Sequence, residues 1–464
     1  MQRKVMNLLL EWKSEEERLP LVIRGLRQVG KTYIVKQFAK ENYENAFFLD
    51  FRKKPELASL FQGNFSVDDL VLGISALPDE DRLIKGSKMV PGKTILILDE
   101  IQDCPNARAS LRYFKDDHRF DVVCTGSMLG VSGYRITKEP SRGIPVGSEE
   151  VIDMTAMDFE EFLMAIGMEK DVLDLAKECF DLEKEIPAYI HQRMLELFRR
   201  YIVVGGMPEA VEKFVLTNDI GEVRKVQKRI VNDYRADFGT HLRDDGTITI
   251  NEMEKSRLLQ VFQSIPRQLA KENSKFQYSS VGHGARNRTH SSALSWLEGY
   301  GLVTLCHNLS SLEQPLTFYE LEDEFKVFVN DTGLFFSMLG DDIPAMLLTD
   351  SLGTGKGPIY ENLIAETFHK AQRQQYYFSR NSGLEIDFVT TLRGKTTLVE
   401  VKAKDGRTKA AKEVLTNPAY PVEDLLKFTS QNIGKSGNIF TVPYYIAFYA
   451  LSKRRLAYSG KETE

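Results

Sequence analysis

LVIRGLRQVGKTYIVKQFAK, Leu21 to Lys40, decides the fold. Leu21 to Ile23 is a short apolar strand, and Tyr33 to Lys40 reads as a helix. Between them, Gly25-Leu26-Arg27-Gln28-Val29-Gly30-Lys31-Thr32 fits GxxxxGK[ST] in full. Strand, glycine loop and helix together are the context that this motif requires. The backbone N–H groups from Gly25 through Arg27, Gln28, Val29 and Gly30 are expected to curl round phosphate oxygens at a helix N-terminus. Lys31 is expected to reach the β- and γ-phosphates, Thr32 to bind Mg²⁺, and Tyr33 to begin the helix beside the nucleotide.

A partner motif follows. Ile95 to Leu98 is a continuous apolar run, as in a buried parallel strand, and it ends in Asp99-Glu100. Carboxylates at the C-terminal end of such a strand face the ligand crevice. Asp99 is expected to hold the Mg²⁺ shell and Glu100 to orient the attacking water. The next strand, DVVCTGSML, places Thr125 at its end, where a hydroxyl could sense the γ-phosphate. Arg142, in PSRGIPVG, is either an arginine finger for a neighbouring subunit or a solvated loop arginine. Two other glycine-lysine stretches, Gly353 to Gly357 and Gly434 to Ser436, lack the spacing or the first glycine.

The loop GLRQVGKT, then ILDEIQ, then TGSML and an Arg-Gly, resembles a bacterial and archaeal AAA-type ATPase family with a GxRQVGKT loop. That family is typically followed by a C-terminal domain of unknown function. The resemblance runs over nearly the whole chain. MDFEEFL (Met157 to Leu163) resembles the family's exit from the ATPase core, although TAMDFEEF here replaces the more usual LxPLSFxEF. The resemblance implies ATP and Mg²⁺ as cofactors and a homo-oligomer, in which Arg142 would act across subunits.

The remainder divides into three expected regions. Residues 1–165 form the ATPase core, and 166–240 a helical lid with leucines at helical spacing. In the lid, Gly205-Gly206-Met207-Pro208-Glu209 interrupts the pattern. Related signalling ATPases pack such a proline against adenine, which implies that role for Pro208. The alternative is a loop that starts a helix with Pro in its first turn. Residues 241–345 read as a winged helix, with strands at Leu302–Cys306 and Leu316–Tyr319 as the wing. Arg286, Arg288 and His290 at the start of its third helix are candidates for nucleic-acid contact, DNA favoured.

Residues 346–464 contain helix, strand with Asp387, hairpin, and strand with Glu400-x-Lys402. This is similar to the PD-(D/E)XK nuclease core. Asp387, Glu400 and Glu361 would hold Mg²⁺, and Lys402 would position the nucleophile. An alternating charged surface hairpin is the other reading. The expected fold class is therefore α/β: a P-loop NTPase core with helical lid, a winged-helix domain, and a C-terminal restriction-endonuclease-like α/β domain.

Composition bounds the rest. The chain has 464 residues, enough for two to four domains, with 42% apolar and 27% charged residues and a net charge of -5. Any contact with nucleic acid must come from a local basic patch. Four separated cysteines without a CxxC argue for a reducing compartment and against structural zinc. The absence of a signal-like or membrane-spanning run points to a cytoplasmic protein. The expected function is a Mg²⁺-dependent ATPase acting on nucleic acid, with possible cleavage by the C-terminal domain. The alternative is an ATP-driven regulatory switch that binds a protein partner and carries a catalytically silent C-terminal domain.

Overall fold

A computed structural model describes residues 1–62, 66–128, 147–242, 248–271, 274–402 and 408–452. The N-terminal elements are α1 (Val5–Ser14), β1 (Leu21–Gly25), α2 (Lys31–Asn42), β2 (Asn45–Asp50), α3 (Val67–Ser75), β3 (Thr94–Asp99), α4 (Pro105–Asp117), β4 (Asp121–Ser127) and β5 (Glu150–Asp153). The five strands form one parallel sheet in the order β2-β3-β4-β1-β5.

Successive side chains on a strand point to opposite faces. Accordingly Ile23, Ile95, Ile97 and Val123 pack with Ile34, Val35 and Phe38 of α2 on one face. Val22, Leu96, Leu98 and Val122 pack with Leu111 and Phe114 of α4 on the other. Each fully buried side chain of this size contributes about 2 kcal/mol. Both faces being covered explains why β3 is apolar without alternation until it ends in Asp99.

A helical region follows: α5 (Phe159–Ala165), α6 (Lys170–Asp181), α7 (Ala188–Val204), α8 (Pro208–Thr217) and α9 (Ile220–Asp237). The exit motif is the start of α5, where Asp158 and Glu161 form a reciprocal capping box. Beyond the short pair β6 (Thr240–Leu242) and β7 (Ile248–Ile250) come α10 (Glu252–Leu269) and α11 (Asn287–Tyr300).

The remaining strands are β8 (Val303–Leu309), β9 (Glu320–Val329), β10 (Tyr376–Ser379), β11 (Glu385–Leu392), β12 (Lys395–Val401), β13 (Asp424–Thr429), β14 (Gly434–Ser436) and β15 (Ile439–Pro443). Their helices are α12 (Thr332–Ser337), α13 (Ile343–Leu348), α14 (Lys356–Lys370), α15 (Lys409–Thr416) and α16 (Ala447–Ala450). All eight strands belong to one mixed sheet, β14-β15-β13-β12-β11-β10-β8-β9.

This sheet changes the expected wing. Leu316–Tyr319 is a turn of 3-10 helix, and the second strand is Glu320–Val329. The β8–β9 hairpin continues the C-terminal sheet through parallel pairing of β8 with β10. The expected boundary at 345 lies in α13, in the connection between β9 and β10 of that sheet. The β11–β12 hairpin is as expected, with Arg393 and Gly394 at φ 50 and 74°, the left-handed pair that a two-residue turn demands.

Candidate nucleotide site and C-terminal centre

The loop after β1 wraps the N-terminus of α2, with Gln28 at φ 66° and Gly30 at φ 92°. Gly25 has no room for a side chain, since a Cβ there would lie 2.1 Å from the Met154 carbonyl oxygen at the end of β5. Lys31 Nζ donates to the carbonyls of Gly25 and Leu26, at 3.0 Å each. Burial pushes its pKa down to about 8. Thr32 Oγ1 donates to Asp99 Oδ1 at 2.9 Å. Thr125, fully buried at the end of β4, donates to the same carboxylate. Burial raises the pKa of Asp99, against these two hydroxyl donors.

Glu100 follows Asp99 in a left-handed conformation, φ 56°, and pairs with Arg52 at 3.0 Å. Lys31, Thr32, Asp99, Glu100 and Thr125 thus meet at the carboxyl end of the parallel sheet. A hydroxyl and a carboxylate 2.9 Å apart are the hard-oxygen donors that Mg²⁺ takes together with nucleotide phosphates, so the residues fit that ion. Tyr33 is 62% exposed at the start of α2. Pro208 lies at the start of α8 beside the loop, its Cγ 3.8 Å from where a Cβ on Gly30 would sit. Arg142 lies outside the described residues.

The loop is gripped from the helical region. Arg27 is ion-paired with Asp237, the last residue of α9. Gln28 Nε2 donates to Asp233 Oδ2 at 2.9 Å, and Tyr234 Oη donates to the Arg27 carbonyl at 2.8 Å. Tyr300, the last residue of α11, donates to Asp237 at 2.8 Å. Arg27 Nε is buried without a hydrogen-bond partner among the described residues.

At the other sheet, Asp387, Glu400 and Lys402 come together, with Glu361 from α14. Lys402 Nζ lies 3.1 Å from Asp387 Oδ2 and also pairs with Glu400. The Val401 amide donates to Asp387 Oδ2 at 2.7 Å. Burial and the neighbouring Asp387 push the Glu400 pKa up to about 7. Burial also raises that of Glu361. A residue that the sequence reading missed completes the group: Lys326 of β9 reaches both Glu361 and Glu385 at 2.8 Å. The expected residues come together in one cluster. Among the described residues no three His, Cys, Asp or Glu side chains are arranged to hold a metal ion. The two lysines occupy the space between the carboxylates instead.

Arg286 and Arg288 are exposed at the start of α11. His290 is buried and pairs with Gln260 at 3.2 Å, so it does not face a surface ligand.

Residues 17–163 match an AAA domain family. Residues 195–344 and 356–445 match two further families, each described as a domain of unknown function, DUF8612 and DUF4143. No curated protein matches the chain. Among solved structures, a Walker-type ATPase of Pyrococcus abyssi is 14% identical, covering 73% of this chain and 95% of that one, with a TM-score of 0.41. The Orc1 protein of Aeropyrum pernix in complex with DNA is 12% identical, covering 74% and 92%, with a TM-score of 0.28.

The AAA domain is tied to its neighbours through the Gly205-Gly206 turn. A Cβ on Gly206 would lie 2.0 Å from the Met157 carbonyl oxygen. The Gly206 amide donates to Asp331 Oδ2 at 2.6 Å, and the Met157 amide donates to the Gly206 carbonyl at 2.7 Å. Close by, Tyr201 Oη donates to Glu366 Oε1 at 3.0 Å, and Lys370 of α14 pairs with the same carboxylate. Arg3 was also missed. It is 9% exposed and donates to the Val29 carbonyl at 2.9 Å, the Thr155 carbonyl at 2.7 Å and Glu161 at 3.0 Å. It braces the AAA domain's phosphate loop from behind. Its only trace in the sequence is a single arginine near the N-terminus, and no local pattern marks it.

Among the described residues no helix is long and apolar enough to cross a membrane.

Proposed function

We propose that the chain is a Mg²⁺-dependent ATPase acting as a nucleotide-controlled switch, read by the helical region and passed to the C-terminal sheet. One observation carries this reading: the tip of the phosphate loop is held by Asp233, Tyr234 and Asp237 of α9. ATP must engage the same loop, so binding changes what α9 and α11 rest against. Lys31 positions the phosphates, Thr32 and Asp99 hold Mg²⁺, which offsets phosphate charge, Glu100 orients water, and Pro208 lines the adenine side. The test is ATP turnover and ATP binding in the full chain. Lys31→Ala should lose both, whereas Glu100→Gln should keep binding and lose roughly 100-fold or more in turnover. Turnover that survives Glu100→Gln would sink the assignment.

A second reading concerns the partner. Arg286 and Arg288 are exposed at one end of α11, and Tyr300 at its other end touches the Arg27–Asp237 pair. A helix of 14 residues spans roughly 20 Å, so a phosphate backbone bound at the arginines is one rigid element away from the loop. This favours nucleic acid, DNA first, as the partner that the switch answers. ATP turnover with and without duplex DNA tests it; stimulation that Arg288→Ala leaves untouched would count against this route.

A further inference from the structure

The C-terminal centre holds four carboxylates, Glu361, Glu385, Asp387 and Glu400, and two ammonium groups. Lys402 directly follows β12, while Lys326 comes from β9, at the far edge of the sheet. The Lys326 residue is 1% exposed and its ammonium lies 2.8 Å from both Glu361 and Glu385. The same ammonium sits 5.0 Å from the centre of the Tyr377 ring. A buried lysine stays charged only while its partners face it. Burial opposes its charge, but Glu361, Glu385 and Asp387 together hold its pKa above the ordinary value.

A divalent cation would need these same carboxylate oxygens and would stand beside two fixed positive charges. Both obstacles stand while both lysines are in place.

We infer that Lys326 is the resident cation of this centre, that it excludes divalent metal, and that the centre fastens β9 to the C-terminal strands instead of cleaving phosphodiesters. The inference rests on the switch reading, in which the C-terminal sheet receives the signal, and is independent of the ATPase chemistry.

The test is equilibrium titration of the full chain with Mn²⁺ alone, free ion read by electron paramagnetic resonance. The variants are Asp387→Asn, Lys326→Ala and the Lys326→Ala/Asp387→Asn double. The wild type and Asp387→Asn should bind the same number of ions. Lys326→Ala should bind one more, and the double variant should lose it. One extra Asp387-dependent ion in the wild type overturns the inference, as does a folded Lys326→Ala that gains none. If Lys326→Ala does not fold, the wild type against Asp387→Asn decides alone: equal stoichiometry supports the inference and an extra ion overturns it. A failure of the ATPase reading would appear separately, in turnover that survives Glu100→Gln.

Discussion

Arg27, at the tip of the phosphate loop, is ion-paired with Asp237 at the end of α9, and Tyr300 of α11 donates to that same carboxylate at 2.8 Å. The contact joins residues 210 positions apart and places a carboxylate beside the loop proposed to bind a nucleotide's phosphates.

Removing that carboxylate should help an anion bind. Asp237→Asn keeps the shape and drops the charge, and partly exposed pairs of this kind are worth up to about 1 kcal/mol. ATP affinity should rise by about two- to fivefold, read by titration with a fluorescent ATP analogue. Unchanged or weaker binding would mean that the pair only supports the loop.

ATP affinity should also depend on pH. In the nucleotide-free protein, burial lowers the Lys31 pKa to about 8, so above that pH the side chain is largely neutral, while the bound phosphates require it charged. Binding then takes up a proton, and affinity should fall by up to about tenfold per pH unit above pH 8. The stability term runs the other way. A depressed lysine disfavours the folded state at low pH, and the penalty is relieved as pH rises from about 8 toward the unfolded value. Kd measured from pH 7 to 9.5 checks the first effect; a flat profile would remove Lys31 as its source.

Gly206→Ala should be severely destabilising. Its Cβ would sit 2.0 Å from the Met157 carbonyl oxygen and 2.9 Å from Lys370 Nζ, and the first of these neighbours is backbone that cannot swing away. A loss of about 3 kcal/mol or more is expected, read as a lowered Tm. Because the turn also carries Pro208, ATP affinity should weaken in any folded fraction.

If α11 meets a phosphate backbone, Arg286→Ala and Arg288→Ala should each reduce the slope of log affinity against log salt by about 1, whatever the DNA sequence. Binding curves at several salt concentrations give the slope directly. A slope that does not change would move nucleic-acid contact elsewhere.

The local signals were legible where chemistry is local. The phosphate loop, Asp99-Glu100, the exit helix and the β11–β12 hairpin each occupy one continuous stretch whose spacing dictates strand, turn or helix. The wing was misread because Leu316–Tyr319 has strand-like composition but forms a 3-10 turn, and β9 begins at Glu320. Charged residues at Glu320, Glu322, Asp323 and Glu324 hide a strand whose partner, β8, is set by the fold.

The sequence by itself determined the candidate nucleotide site, because a glycine loop of this spacing between a strand and a helix has few conformations. Only the tertiary structure decided what surrounds it. Arg3 behind the loop, Asp237 and Tyr300 in front of it, and Lys326 among the C-terminal carboxylates all act across large separations in the chain. Whether a charge is paired, buried or free depends on which distant residue the packing brings within 3 Å, and no spacing along one stretch encodes that.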